Sequence, residues 1–283
     1  MPVPYIALMS YYTVLNLNKE PFSTSPDPYF FYSSFSHKQA IQRLEIAIRL
    51  RRGLSVILGD VGIGKTTLAR ALMQNLSQDR GFIFHMVLDP VYDSEFQFAA
   101  NLAKLFGIKS SFRSAIDYKE AIERFLFKKC VDEENIVVLL IDEGQKLSIS
   151  SLEILRTLLN YETNEYKLLQ LVIIGQMELL PRVQRIKNFS DRISLKYILN
   201  PLDQTETRNM IEFRLKQAGL NSSQQIFTEK SMNLIYQYTQ GYPRKIAILC
   251  HNILEELVMR DKRIVEEDMV KEVIEKDKEV ILN

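Results

Sequence analysis

A glycine-rich segment of the chain contains the residue types that bind phosphate groups. It reads Gly59-Asp60-Val61-Gly62-Ile63-Gly64-Lys65-Thr66, and Thr67 follows directly. Glycines allow a backbone to curl until its N–H groups face phosphate oxygens, and the positive end of the following helix adds to that attraction. In such a loop Lys65 reaches the β- and γ-phosphates, and the Thr66 hydroxyl binds Mg²⁺. The segment therefore predicts a site for a nucleoside triphosphate.

Two adjacent carboxylates, Asp142 and Glu143, follow an apolar run at residues 137–141. A strand that is buried on both faces can present charges only where it leaves the sheet. That edge is where ligands bind in open α/β sheets. We expect Asp142 to hold Mg²⁺ and Glu143 to orient and polarise the attacking water, which is the task that phosphoryl transfer to water requires.

Three further polar side chains are candidates for the same site. Gln176 follows the apolar run at residues 169–174, so it also lies at a strand end, where it could contact the γ-phosphate or the water. Arg192 and Arg244 follow turns, and arginine carries a permanent planar charge that matches phosphate. One arginine could complete a neighbour's site and the other could report nucleotide state to a second domain. A loop amide and two solvent-exposed arginines are the alternatives.

Strand-length apolar runs alternate with helical periodicity over the first two thirds of the chain. The runs lie at residues 54–58, 82–88, 137–141, 169–174 and 193–199. Strands that alternate with helices form a parallel sheet with helices on both faces. After Pro201 only helical periodicity appears. The predicted fold class is therefore α/β, with an extended N-terminal strap at 1–36, a nucleotide-binding core at 37–200 and an all-helical lid at 201–283.

Composition limits the partners and the compartment. The net charge of +1 results from 36 basic and 35 acidic residues, which removes a global electrostatic argument for nucleic acid or anionic membrane. No stretch approaches the roughly 20 apolar residues of a membrane span, and the start is a poor signal peptide. Two cysteines without paired spacing indicate neither a zinc site nor a disulfide framework. We expect a cytoplasmic protein whose start, Met1 or Met9, is left open.

In their order along the chain, these motifs resemble the ExeA family of AAA+ ATPases, also called general secretion pathway protein A, and the related MshM proteins of pilus biogenesis. The resemblance spans about residues 10–256. The segments that carry it are SYYTVLNLNKEPFSTSPDPYFFY, GDVGIGKTTL, LLIDEGQKL, LEILRTLLNYETNEYKLLQLVIIGQMELL, FSDRISLKYILNPLD and GYPRKIAILCHNIL. It implies an ATPase that uses Mg²⁺ and works as a ring or filament, with ATP bound at the junction between subunits.

The resemblance also implies roles for single residues. Lys65 and Thr66 match the Walker A pair, and Asp142 and Glu143 match the Walker B pair. Gln176 matches the first sensor. The resemblance also assigns the arginines. Arg192 matches the arginine finger, the residue that would complete the site of a neighbouring subunit, and Arg185 is the alternative for that role. Arg244 matches the second sensor in the lid.

This sequence departs from the family pattern in two ways. ExeA itself carries a membrane span and a peptidoglycan-binding region after its ATPase, and neither is present up to Asn283, so a direct cell-wall role is not expected. The family's Asp-Glu-Ala-Gln motif occurs here with glycine in place of alanine, at Gly144. That change touches no predicted catalytic group.

Three functional hypotheses stay open at this point. The first is an ATP-driven assembly factor for a secretion or pilus machine. The second is a DNA-binding ATPase of mobile elements, because the core more distantly resembles the transposition regulators MuB, TniB and TnsC. The third is a nucleotide-gated scaffold, which an intact Glu143 disfavours. The local basic clusters that could contact DNA are Arg49, Arg51, Arg52, Lys128 and Lys129.

Overall fold

The computed structural model describes residues 10–186, 188–221 and 224–282, so both candidate starts, Met1 and Met9, lie outside the described residues. The strands are β1 (Leu54–Leu58), β2 (Phe82–Val87), β3 (Ile136–Ile141), β4 (Leu169–Gly175) and β5 (Ile193–Ile198). The α-helices are α1 (Tyr11–Val14), α2 (Phe35–Arg49), α3 (Lys65–Leu76), α4 (Glu95–Leu105), α5 (Ala115–Phe127), α6 (Ile149–Leu158), α7 (Leu179–Gln184), α8 (Gln204–Gln217), α9 (Glu229–Thr239), α10 (Pro243–Met259) and α11 (Glu267–Leu282).

The five strands form one parallel sheet in the order β2-β3-β4-β1-β5. The interior strands β1 and β4 are buried along their whole length, and β3 is buried after its first residue. The edge strand β5 alternates between half-buried and exposed residues. Strands covered by helices on both faces need continuous apolar runs, whereas an edge strand can alternate. The predicted parallel α/β sheet is confirmed.

Side-chain caps define where several helices begin. Ser94 accepts a hydrogen bond from the backbone N–H of Gln97 at the start of α4, and Ser114 does the same for Asp117 at the start of α5. Such caps satisfy N–H groups that have no partner within the helix. The Ser114 cap thus sets the start of α5 at Ala115.

The chain divides into two compact units. The first contains the sheet and comprises Phe35–Val61 and Lys65–Leu199; the second comprises the chain up to Ser34, the short stretch Gly62–Gly64 and everything from Asn200 onward. Each unit has its own hydrophobic core. The second unit is therefore built from both ends of the chain.

The N-terminal strap packs against the C-terminal helices of its own chain. Leu17, Phe22 and Phe30 are buried in one cluster with apolar residues of α8 to α11. Arg214 on α8 donates hydrogen bonds to the carbonyl oxygens of Ser23 and Phe30, at 3.1 and 3.2 Å. The aromatic residues of a segment without periodicity thus find their packing partners in helices that lie far along the chain.

Among the described residues, no helix combines the length and the hydrophobicity that a membrane crossing requires.

Candidate active site

The loop after β1 is shaped by two glycines with left-handed backbone conformations. Gly62 has φ +79° and Gly64 has φ +99°, a region that only glycine adopts at little cost. Helix α3 begins immediately afterwards, at Lys65. The first N–H groups of a helix have no partner within it and carry partial positive charge. A curled loop that leads into a helix start is suited to bind an anion.

Lys65 is held at this loop by backbone carbonyls. Its Nζ donates to the carbonyl oxygens of Gly59 and Asp60, at 2.9 and 2.8 Å, and the residue is only 6% exposed. Burial lowers the pKa of Lys65, while the carboxylates of Glu143 and Asp142 act in the opposite direction. The predicted phosphate ligand is thus an ammonium group fixed beside the loop and close to the two predicted acidic residues.

Thr66 and Asp142 meet directly. The Thr66 hydroxyl donates to Asp142 Oδ2 at 2.5 Å, and the backbone N–H of Glu143 donates to Asp142 Oδ1 at 2.9 Å. Within the described ranges no group of three or more His, Cys, Asp or Glu side chains could hold a metal by itself. Mg²⁺ prefers oxygen ligands and usually takes only one or two from protein, with water and phosphate supplying the others. A hydroxyl and a carboxylate fit that ion.

Glu143 is oriented by a residue that the sequence did not single out. Its backbone has φ +51°, and its Oε2 accepts a hydrogen bond from Gln145 Nε2 at 2.7 Å. The other end of the same amide, Gln145 Oε1, accepts from the backbone N–H of Gln176 at 3.0 Å. The signal that could have identified Gln145 is its place in the Asp-Glu-Ala-Gln motif of the resemblance, two residues after Glu143.

The ends of three neighbouring strands bring these residues together. Gly59 follows β1, Asp142 follows β3 and Gln176 follows β4, the strand between them. The backbone N–H of Gly59 donates to the carbonyl oxygen of Gly175 at 3.2 Å. Because the carboxyl ends of parallel strands share one edge of the sheet, Gln176 lies at the edge where Lys65 and Asp142 also lie.

Arg192 lies at the other edge. It directly precedes β5, whose first residue, Ile193, pairs with Leu54 at the start of β1. The length of β1 therefore separates Arg192 from the glycine-rich loop of its own chain, about 17 Å at 3.3 Å per residue. One guanidinium nitrogen of Arg192 donates to the carbonyl oxygen of Arg156, at 2.9 Å. The rival Arg185 is exposed and directly follows α7.

The remaining residues of the predicted phosphate-binding loop differ in their exposure. In the loop, Ile63 is fully buried, Asp60 and Val61 are exposed, and Thr67 is half-buried in the first turn of α3. Arg244 is the second residue of α10. Its backbone N–H donates to the carbonyl oxygen of Gly62, which belongs to the same unit, at 3.1 Å.

Three of the five basic residues proposed to contact DNA are occupied by partners within the protein. Arg49 pairs with Asp79 at 2.5 Å, and Lys129 pairs with Glu133 at 2.7 Å. Arg51 donates to two backbone carbonyls and its guanidinium lies 4.2 Å from the centre of the Tyr166 ring. Of the five, Arg52 and Lys128 are exposed. This pattern indicates that Arg49, Arg51 and Lys129 stabilise the fold.

Comparison with known proteins shows which sequences this chain is similar to. A protein-family model described as "AAA domain" matches residues 48–183. General secretion pathway protein A of Aeromonas hydrophila is 34% identical over 86% of this chain, and the match covers 44% of that protein. The chain thus spans less than half the length of this relative.

Solved structures with the same fold come from proteins of low sequence identity. The Aeropyrum pernix ORC2 protein in its ADPNP-ADP complexes has a TM-score of 0.68 at 15% identity, covering 92% of this chain and 71% of that one. Drosophila ORC bound to DNA has a TM-score of 0.67 at 18% identity, covering 97% of this chain and 67% of that one.

Proposed function

This chain belongs to the AAA+ proteins related to general secretion pathway protein A, and on that premise we propose that it binds ATP with Mg²⁺ and hydrolyses it to ADP and phosphate. The observation that carries this proposal is the meeting of Lys65, the Thr66–Asp142 pair and Glu143 at one edge of the sheet, beside the glycine-rich loop. Those are the charges and ligands that phosphoryl transfer uses.

Each residue has a role in the proposal. The backbone of Gly59–Thr66 and Thr67 cradles the phosphates, and Lys65 neutralises them. Thr66 and Asp142 hold Mg²⁺, which when bound supplies positive charge to the phosphate oxygens. Glu143 orients the attacking water and accepts its proton, and Gln176 contacts the γ-phosphate or that water. Arg244 senses the nucleotide.

Two substitutions test the chemistry. Lys65→Ala should abolish ATP binding, because it removes the only ammonium group that the described structure places at the loop. Glu143→Gln should keep ATP affinity within about twofold and lower kcat by about 100-fold or more, since a general base contributes about 10²–10⁴. Equilibrium binding of a fluorescent ATP analogue and phosphate release measure the two effects. A Glu143→Gln variant that hydrolyses ATP like the parent would refute the assignment.

We further propose that the active form is a homo-oligomer, a ring or a filament, in which Arg192 of one copy completes the site of the next. The separation of Arg192 from its own loop by the length of β1 supports this arrangement. The relation to general secretion pathway protein A favours assembly of a secretion or pilus machine as the work that hydrolysis drives. Two free, buried cysteines, Cys130 and Cys250, fit the reducing cytoplasm as its location.

DNA binding is a second candidate function, supported by a depression between α4 and α5. The depression has a volume of about 610 Å³ and is lined by Asn101, Lys104, Lys109, Ser110, Ser111 and four other residues, none of them acidic among those described. In the described part of the chain neither lysine pairs with a carboxylate, in contrast to Arg49 and Lys129. Free lysines beside hydroxyl and amide groups are suited to contact a phosphate backbone. Two proteins with the same fold, Drosophila ORC and the Aeropyrum pernix ORC1 protein, were solved with DNA.

This candidate function predicts that duplex DNA stimulates ATP hydrolysis at low salt. The double substitution Lys104→Glu/Lys109→Glu should remove the stimulation. It should also reduce the slope of the logarithm of the DNA-binding constant against the logarithm of the salt concentration by about 2, one unit per lost phosphate contact. Basal hydrolysis should not change, because neither lysine is near the nucleotide edge. Lys129→Glu is the control, since Lys129 already pairs with Glu133. Absence of DNA binding by the parent at low salt would reject this function and leave the ATPase proposal intact.

A further inference from the structure

The side chain of Gln145 connects the predicted catalytic base to the end of a neighbouring strand. Its Nε2 donates to Glu143 Oε2 at 2.7 Å, and its Oε1 accepts from the backbone N–H of Gln176 at 3.0 Å. The N–H of Gln176 belongs to the segment that directly follows β4, so it is a fixed anchor. The amide of Gln145 therefore holds the carboxylate of Glu143 in a fixed position relative to the end of β4.

Only an amide of this length performs both tasks. A primary amide presents a donor and an acceptor on one rigid plane, whereas a carboxylate has no donor and a methionine has no donor and only a weak acceptor. The bond to Oε2 restricts rotation of the Glu143 side chain and, among the described residues, no hydrogen bond occupies Oε1. That second oxygen can accept a hydrogen bond from a water molecule. The backbone N–H of Glu143 donates to Asp142 Oδ1 at 2.9 Å, so Glu143 lies at the same edge of the sheet as the predicted Mg²⁺ ligand.

The glycine at the end of β4 permits this close approach. A Cβ added to Gly175 would lie 3.2 Å from both the backbone nitrogen and the side-chain Oε1 of Gln145. A separation of that size is tighter than ordinary van der Waals contact, so a larger residue would push the amide away from the strand. Gly175 thus leaves the space beside the strand that the amide of Gln145 occupies.

We propose that Gln145 is the positioning residue of Glu143, and that it links the orientation of the base to the strand end that carries Gln176. The inference rests on the proposed function, because it assigns work to Gln145 only if Glu143 acts on water.

Two variants separate this role from a purely structural one. Gln145→Met has a similar volume and loses both hydrogen bonds, whereas Gln145→Glu keeps an acceptor for the Gln176 N–H and loses the donor to Glu143. We expect kcat to fall about 10- to 100-fold in both variants, because small misplacements of a catalytic group have effects of that size. The KM for ATP and the ATP affinity should stay within about twofold. Denaturant unfolding of each variant verifies that the fold is retained.

A double-mutant cycle with Glu143→Gln completes the experiment. If Gln145 acts through Glu143, adding Gln145→Met to Glu143→Gln should cause no further loss in single-turnover hydrolysis. The inference is overturned if Gln145→Glu keeps the parental kcat, or if Gln145→Met multiplies the loss in the Glu143→Gln background. The proposed function itself fails in a different way, namely if Glu143→Gln alone retains the parental rate.

Discussion

The turn that carries Glu143 is constrained at two adjacent residues. Glu143 has φ +51°, a left-handed conformation that costs a non-glycine residue about 1–3 kcal/mol. The next residue, Gly144, is packed so closely that an added Cβ would lie 2.4 Å from Cγ2 of Ile173. The family's alanine at this position would therefore require Ile173 to move. The glycine of this sequence and the β-branched isoleucine of β4 are matched to each other.

For single residues, the sequence predicts the type of chemistry better than it predicts the contacts between side chains. The residue types and spacing around Lys65 and Asp142 predict a site for phosphate and Mg²⁺ because those motifs are local, and the structure brings Thr66 and Asp142 into direct contact. The link from Gln145 to Glu143 and Gln176 depends on a side-chain conformation and on a backbone N–H that lies 31 residues further along the chain. No local pattern encodes such a contact.

Among the elements, the strap is the one whose packing the sequence left undetermined. The apolar run at residues 54–58 predicts β1 with the bounds that the structure has, because a buried strand is a continuous apolar run. The strap has no such period, since its aromatic residues enter a core built by α8 to α11. The short helix α7 was also not predicted, because its six residues include Pro181 and span less than two turns.

Arg214 should be essential to the attachment of the strap. Burial lowers the pKa of its guanidinium, whose donors are used by carbonyl oxygens of the strap. Arg214→Met should lower the free energy of unfolding by about 2–4 kcal/mol, because it leaves buried carbonyls without donors. Circular dichroism during denaturant unfolding measures this change, and trypsin cleavage after Lys19 should become faster. Lys216→Met, an exposed position on the same helix, is the control, and an equal response of both variants would contradict the prediction.

For the whole molecule, the strand order decides which residues can share a site. The order β2-β3-β4-β1-β5 places the C-terminal ends of β1, β3 and β4 side by side. Arg192 precedes β5, and because β5 pairs in parallel with β1, Arg192 lies at the opposite edge, where the strands begin. Apolar runs indicate that strands exist and that they are parallel, but not which of them are neighbours. The expectation of a second copy at the site comes from the resemblance and stays a prediction, and the position of Arg192 at the start of β5 is compatible with it.

A mixing experiment tests whether Arg192 acts on a neighbouring copy. Arg192→Ala should bind ATP like the parent and lose hydrolysis, because the lost charge belongs to the site of the next subunit. Mixed with Lys65→Ala, it should recover up to about a quarter of the parental rate, since random head-to-tail assembly pairs an intact loop with an intact arginine at that frequency. Phosphate release across mixing ratios measures the recovery. Arg185→Ala is the matched control, and recovery with it but not with Arg192→Ala would move the finger to Arg185.

The helical unit is made from the first and the last parts of the chain, and this affects how the unit folds during translation. Synthesis proceeds from the N-terminus, and domains generally fold as they emerge. Phe22 and Phe30 are translated early, yet their packing partners begin only at Asn200. Until then the sheet unit can fold while these aromatic side chains lack the helices that bury them in the native structure. We therefore expect the nascent strap to be a binding segment for chaperones, released when α8 and the helices after it leave the exit tunnel.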